Sequence, residues 1–111
     1  MDEDHARELL HTERTRVQGL LEDTTRAARE DRAAANEPGD LTDPAERLTA
    51  EEIDDAVAAG LRDRLAAIER AERRIAEGTF GYSILSGEPI PDERLEVDPT
   101  VELTHAEAQR G

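Results

Sequence analysis

Apolar residues along the first third of the chain recur at helical spacing. Val17 lies seven and eight positions after Leu10 and Leu9, and Leu20 and Leu21 follow it by three and four. This spacing places them on one stripe of a helix. No proline interrupts the segment, and the acidic residues of its first turn favour the positive end of the helix dipole. We therefore predict one long helix from about Asp2 to Ala35.

A second apolar stripe lies beyond a cluster of helix-breaking residues. Residues 36–44 contain two prolines and one glycine, so the chain turns there. Farther along, apolar residues step by three or four positions, as they do along the seam of a coiled coil. The members of this predicted seam are Ile53, Val57, Leu61, Leu65, Ile68, Ala71 and Ile75. We predict that this second helix packs against the first as an antiparallel pair.

Two capping signals compete for the start of the second helix. Asp43-Pro44 is typical of an N-cap followed by a first helical residue. Thr49 with Glu52 is typical of a capping box that would open the helix slightly later. We predict that the main helix runs from about Ala50 to Glu77 and that Gly78 ends it.

The last third of the chain changes in character. Residues 79–91 are rich in turn-forming residues and locally apolar, which is typical of a knuckle or a small hairpin. Thr104 and Glu107 have the spacing of a capping box, so we predict a short final helix that runs to about Arg110.

Together these elements predict an all-α fold with two parts. Residues 1–78 form a long antiparallel helical hairpin, or coiled coil, with an acidic tip at about residues 36–49, and residues 79–111 form a small separate module. Hydrophobic residues make up 36% of the chain and charged residues 38%, so the core must be thin. Long amphipathic helices fit this composition better than a compact globule.

The charge of the chain narrows the choice of partners. The formal net charge is −14, and every basic residue is arginine. Nucleic-acid phosphates and anionic membrane surfaces attract clustered cations, so we expect neither direct DNA binding nor membrane binding. A basic protein surface is the partner that an acidic field steers toward. A negative net charge that only keeps the protein soluble explains the same composition equally well.

Candidate chemistry is sparse. The chain has no cysteine, which excludes a disulfide or a thiolate site. No apolar run approaches about 20 residues, and the N-terminus lacks the features of a signal peptide, so we expect a cytoplasmic monomer. Carboxylate pairs at any spacing arise here by chance, and the three histidines, His5, His11 and His105, lie far apart. We expect no enzymatic activity and no cofactor.

Several motifs in register nevertheless resemble a known family, the DksA/TraR transcription factors of bacteria. They span about the last 70 residues, whereas the first helix matches only in its length. The motifs are Asp43-Pro-Ala-Glu-Arg47, Glu77-Gly-Thr-Phe-Gly-Tyr82, Ser86-Gly-Glu-Pro-Ile90 and Arg94-Leu-Glu-Val-Asp-Pro-Thr100. Their shared order and spacing make the resemblance more specific than any one short pattern.

The resemblance implies a finger that has lost its metal ligands. Members of the family hold one Zn²⁺ with two Cys-x-x-Cys pairs, whose positions here are Ser83, Ser86, Thr104 and Glu107. Hydroxyl groups stay protonated near pH 7 and are poor zinc ligands. Glu107 and the adjacent His105 do not make a tetrahedral site, so we predict a metal-free, degenerate zinc-finger-like module.

We expect apolar packing to replace the metal in this module. The apolar residues available are Phe80, Tyr82, Ile84, Leu85, Ile90, Leu95, Val97, Val101 and Leu103. Burying such side chains contributes roughly 1.5–3 kcal/mol each, which is comparable in sum to a structural zinc. Ile84 and Leu85, between the two serines, are predicted to be core residues.

The resemblance also implies a function. In the family, the hairpin enters the secondary channel of RNA polymerase, and acidic residues of its tip act near the catalytic centre. The tip pattern Asp-x-x-Asp-x-Ala falls on Asp43, Glu46 and Leu48, so only the first acid is kept. The expected function is a transcription regulator whose acidic tip modulates initiation.

Other interpretations stay open at this point. The protein is alternatively an acidic coiled-coil module that binds another protein and no longer acts on RNA polymerase, or a metal- or redox-responsive regulator. Arg70, Arg73 and Arg74 near the end of the second helix fit contacts with polymerase or a nucleotide, and they fit salt bridges along the hairpin equally well.

Overall fold

A computed structural model describes residues 1–35 and 44–110 of the chain, and it describes side chains for residues 1–33 and 51–110. Four helices are present in this part of the chain: α1 (Glu3–Ala35), α2 (Pro44–Glu77), α3 (Asp92–Val97) and α4 (His105–Arg110). The described residues contain no strand beyond a single antiparallel bridge between Tyr82 and Pro89.

The two long helices pack together, which confirms the all-α hairpin. Their antiparallel direction follows from a side-chain contact, because Arg14 near the start of α1 bonds to Glu72 near the end of α2. None of the described helices is both long enough and apolar enough to span a lipid bilayer.

The chain divides into two compact units. The terminal unit consists of Met1–Thr15 and Ala66–Gly111, and the central unit consists of Arg16–Leu65. Each long helix contributes one segment to each unit. The predicted division of the chain at residue 78 is a different one and stays a prediction.

Among the residues whose side chains are described, the terminal unit contains most of the buried apolar ones. Its core combines both long helices with the C-terminal segment, and its members are Ala6, Leu10, Ile68, Ala71, Ile75, Ile90 and Leu95, all at most 4% exposed. The second half of the predicted seam is therefore buried, as its spacing indicates.

The central unit buries much less. Its buried apolar residues, among those described, are Val17 and Ala58. Ile53 is 58% exposed and Val57 is 47% exposed, so the predicted seam is wrong at these two positions. The reason lies on the opposite helix, because α1 carries no apolar residue larger than alanine after Leu21 and has nothing large to cover them.

The ends of α2 are set by local chemistry. The helix begins at Pro44, earlier than the predicted start near Ala50, which agrees with the preference of proline for the first helical position. At the other end, Gly78 adopts a φ of 79°. Its N–H donates to the carbonyl of Ile75 (3.2 Å), and the N–H of Thr79 donates to the carbonyl of Arg74 (2.8 Å). These two bonds form a Schellman motif, so the predicted glycine stop is confirmed.

The C-terminal segment differs from the predicted apolar knuckle in two respects. First, α3 was not predicted, because only six residues after Pro91 carry its pattern. Second, Ile84 is 57% exposed and Leu85 is 72% exposed, so neither is a core residue. Tyr82 and Val97 are exposed as well, and only two of the nine proposed replacements are buried, Ile90 and Leu95. Apolar packing alone therefore does not replace the metal.

Candidate site: the converted finger and the hairpin tip

Ser83 lies at the centre of a tight turn that its own side chain holds together. Its Oγ accepts hydrogen bonds from the backbone N–H of Leu85 (3.1 Å) and of Ser86 (3.2 Å). The N–H of Gly87, at a φ of 75°, donates to the Ser83 carbonyl (3.0 Å). Ser83 is 5% exposed. A buried hydroxyl thus provides the acceptor that the amides of the turn require.

Thr104 and Glu107 form the predicted capping box at the start of α4. The backbone N–H of Thr104 donates to Glu107 Oε1 (2.9 Å), and the N–H of Glu107 donates to Thr104 Oγ1 (3.3 Å). This reciprocal pair is confirmed, and it fixes the Glu107 carboxylate against the helix end.

A single side-chain hydrogen bond joins the turn to the capping box. Ser83 Oγ donates to Glu107 Oε2 at 3.0 Å, across 24 positions of sequence. Nearby, the N–H of Ile84 donates to the carbonyl of Glu102 (2.9 Å). We call Ser83, Ser86, Thr104 and Glu107 the polar clamp. It connects the two chain segments that carry the lost zinc-ligand positions implied by the resemblance.

The polar clamp favours an ionised Glu107. The backbone N–H of Thr104 and then the hydroxyl of Ser83 lower the pKa of Glu107 to about 2, with smaller effects of the Thr104 and Ser86 side chains. Hydrogen bonds to a carboxylate favour its charged form, which is the physical cause. The clamp therefore carries a fixed negative charge at any pH near neutrality.

Two of the three arginines near the end of α2 contact the C-terminal segment. Arg70 Nε donates to Glu102 Oε1 (2.9 Å), and Arg74 Nη1 lies 3.8 Å from Glu102 Oε2. Arg74 is buried, and burial lowers its pKa despite the opposing effect of Glu102. Sequence reasoning missed Glu102, because in the sequence it is one of 28 acidic residues without a distinguishing motif.

Comparison with known proteins bears on the fold and on the class of protein. No family model matches the sequence, and no curated protein matches it either. A search of solved structures finds the transcription factor DksA2 from Pseudomonas aeruginosa, which is 28% identical. The match covers 97% of this chain and 81% of that one, with a TM-score of 0.85. The chain is DksA-like. The resemblance read from the motifs of its second half therefore extends over the first helix as well.

The four residues of the polar clamp do not fit a zinc ion. Three of them offer hydroxyls, which are poor ligands for Zn²⁺ near neutral pH. Both carboxylate oxygens of Glu107 accept hydrogen bonds within the clamp, and Ser83 Oγ accepts two amides. A metal would have to break these bonds to gain one good donor. In this DksA-like chain, hydrogen bonds occupy the four positions that the resemblance assigns to zinc ligands.

The predicted tip residues do not form a described site. Asp43 lies outside the described residues, and Glu46 and Leu48 belong to the first turns of α2, where side chains are not described. The nearest described acids, Glu51 and Glu52, are exposed on α2. The role of the three tip residues stays a prediction from the DksA-like register.

Proposed function

We propose that this protein regulates transcription by binding RNA polymerase through its secondary channel, where the acidic tip of the hairpin modulates initiation. The observation that supports this proposal is the similarity of 97% of the chain to the transcription factor DksA2. A match of that extent includes most of both long helices, the elements that the family uses for entry.

Charge supports the same proposal. Between Glu37 and Asp55 the chain carries eight acidic residues and one basic residue, Arg47. A concentrated negative field accelerates association with a basic protein surface and fixes the orientation of approach. The proposal therefore requires that the secondary channel, which admits nucleotides, presents a basic surface to the tip.

The tip residues differ from the family pattern at two positions. We expect these differences to change the effect on initiation more than the binding to RNA polymerase. Glu46 is one methylene longer than the aspartate it replaces, and Leu48 is bulkier than the alanine. We expect both to preserve insertion of the hairpin while they move the carboxylate relative to the catalytic centre. Asp43 keeps the family's residue, and we expect it to carry most of the effect on initiation.

Purified RNA polymerase provides the test. We expect the protein to bind the polymerase core and to change the yield of initiation in a defined transcription reaction. Asp43→Asn with Glu46→Gln should reduce that change by about tenfold, the scale of losing a charge-assisted contact. Glu51→Gln with Glu52→Gln removes the same number of charges from positions farther along the chain, on α2, and is the matched control, which should retain most of the effect. Equal behaviour of the two double variants would contradict a specific role for the tip.

Site-specific crosslinking tests the proposed route of entry. A photoreactive residue at position 48 should crosslink to polymerase segments that line the secondary channel. The same residue at Val97, which is 89% exposed in the terminal unit, serves as the control and should give a different crosslink pattern or none. Crosslinks from position 48 only to the outer surface of the polymerase would contradict insertion.

A second candidate is an acidic protein-interaction module that no longer acts on RNA polymerase. The observation that favours it is apolar exposure in the central unit, where Leu20, Ile53 and Val57 are each at least 41% exposed. Exposed apolar side chains on a helical pair are a common basis for binding another protein. Retention of other proteins from a cell extract without RNA polymerase would favour this candidate over the first.

A further inference from the structure

A surface cleft of about 560 Å³ lies beside the end of α2 in the terminal unit. Its walls combine the last turn of α2 and the Schellman turn with the segment around the bridge at Tyr82, and they include Arg74, Glu77, Thr79, Tyr82 and Ile84. The volume lies within the range of pockets that bind small molecules. None of the predicted tip residues or seam residues lines it.

Arg74 brings a buried guanidinium with one unsatisfied nitrogen to the wall of this cleft. The residue is 9% exposed, and its Nη2 is buried without a hydrogen-bond partner in the described structure. Its other terminal nitrogen, Nη1, lies 3.8 Å from Glu102, which is longer than a hydrogen bond. A buried guanidinium nitrogen without an acceptor is costly, and a ligand that supplies the acceptor recovers that cost.

The local charge balance limits the charge that a ligand can carry. Arg70 and Arg74 share one carboxylate, that of Glu102, so this group of three carries one excess positive charge. Glu77 also lines the cleft, but its side chain is exposed and makes no ion pair with Arg74 within the described residues. Its presence disfavours a ligand with several negative charges, such as a nucleotide polyphosphate. With Glu77 counted, these groups are neutral in sum, so the partner that is missing is the single acceptor group for the buried Arg74 Nη2.

We propose that this cleft binds a small molecule with one carboxylate and an apolar body. The carboxylate pairs with the guanidinium of Arg74, and the apolar body packs against Tyr82 and Ile84. Planar carboxylate and guanidinium groups match in geometry, which gives the pairing its strength. A side-chain rearrangement at the wall admits the carboxylate to Nη2, and rearrangements of that kind commonly accompany binding. Binding at the cleft does not depend on whether the protein binds RNA polymerase.

The test uses 4-phenylbutyrate as the probe and 4-phenylbutyramide as its neutral counterpart. Titration of the ¹⁵N-labelled full chain should give saturable chemical-shift changes at Thr79, Ile84 and the Nε–H of Arg74. The amide should bind about tenfold more weakly or worse, because it lacks the charge that Arg74 requires. Absence of saturation with the acid, or equal binding of acid and amide, would overturn the proposal.

Two pairs of variants locate the site. Ile84→Glu places a negative charge in the cleft wall and should weaken 4-phenylbutyrate binding about tenfold or more. Leu85→Glu places the same charge at a neighbouring exposed position outside the cleft and should change the affinity less than about twofold. Arg74→Gln should abolish saturation, and the adjacent exposed Arg73→Gln should not. If Arg74→Gln fails to fold, the Ile84 and Leu85 pair decides, and equal affinities in that pair would overturn the proposal.

Discussion

The two units use the same pair of helices in different ways. In the terminal unit, segments from both ends of the chain converge, and three of its side chains, Leu10, Ile68 and Leu95, are among the largest that are fully buried. In the central unit, the buried apolar residues among those described are Val17 and Ala58, while Leu21, Leu61 and Leu65 are half-buried.

The difference shows that a regular helical pattern does not by itself ensure burial. Ile53, Val57 and Ile68 belong to one predicted seam on α2, yet only Ile68 is buried. Regions with few buried contacts open more readily than well-packed ones. We infer that the terminal unit holds most of the folding free energy and that the central unit is the more easily deformed of the two.

The largest expected effect comes from one substitution made at two sites on α2. Ile68→Ala removes a side chain that is 0% exposed, and it should lower the free energy of unfolding by about 2–5 kcal/mol. Ile53→Ala, at a position 58% exposed, should change it by less than about 0.5 kcal/mol. Urea unfolding followed by circular dichroism measures both, and similar losses would contradict the contrast between the units.

The polar clamp gives the next contrast. Ser83→Ala removes the acceptor of two amides and the donor to Glu107, so it should cost about 1–3 kcal/mol of unfolding free energy. Ser86→Ala removes an exposed hydroxyl that accepts the Glu88 amide (3.2 Å) and has only a small effect on the pKa of Glu107, so it should cost about 0.5 kcal/mol or less. The same unfolding experiment measures both variants. If Ser83→Ala leaves the free energy of unfolding unchanged, the polar clamp does not stabilise the C-terminal segment.

Two glycines on or next to α2 should respond to alanine with opposite signs. Gly78 has a φ of 79°, which alanine adopts only with strain, so Gly78→Ala should destabilise by about 1 kcal/mol. Gly60 lies in the interior of α2, where a methyl group meets nothing within 4 Å. Gly60→Ala should therefore stabilise by roughly 0.5–1 kcal/mol. Thermal melting of the two variants checks the signs, and destabilisation by both would contradict this account of Gly60.

The smallest effect depends on pH and arises from Glu107. Its pKa falls from 4.5 to about 2 on folding, so its ionised form stabilises the fold above pH 4.5, and that contribution is lost as the pH falls toward 2. Glu107→Gln keeps the shape of the capping box but cannot ionise. The melting temperatures of wild type and variant should therefore differ above pH 4.5 and converge toward pH 2. Glu93→Gln on α3 is the control, and a difference that is constant across this range would contradict the assignment.

Much of the fold follows from local signals in the sequence. Helical spacing, the Gly78 stop and the capping box at Thr104 and Glu107 each depend on residues close in sequence, and the structure confirms them. The exposure of Ile53 was not predictable from α2 alone, because it depends on which residues of α1 lie opposite.

The sequence predicts which positions form the candidate site but not how their side chains interact. The motif register identified Ser83 and Glu107 as positions of lost ligands, but it did not reveal that their side chains bond to each other at 3.0 Å. Glu102 and the unpaired Arg74 Nη2 depend on contacts between residues far apart in sequence. Such contacts leave no periodic pattern, so the sequence predicts apolar packing in the C-terminal segment where the structure has hydrogen bonds.

Amide hydrogen exchange along α2, free and bound to purified RNA polymerase, tests the account most directly. In the free protein, we predict slower exchange for residues 66–77 in the terminal unit than for residues 51–65 in the central unit. On binding, residues 51–65 should gain protection while residues 66–77 change little. Uniform exchange along α2 in the free protein would contradict the difference between the units, and no gain of protection at residues 51–65 on adding polymerase would contradict the proposed function.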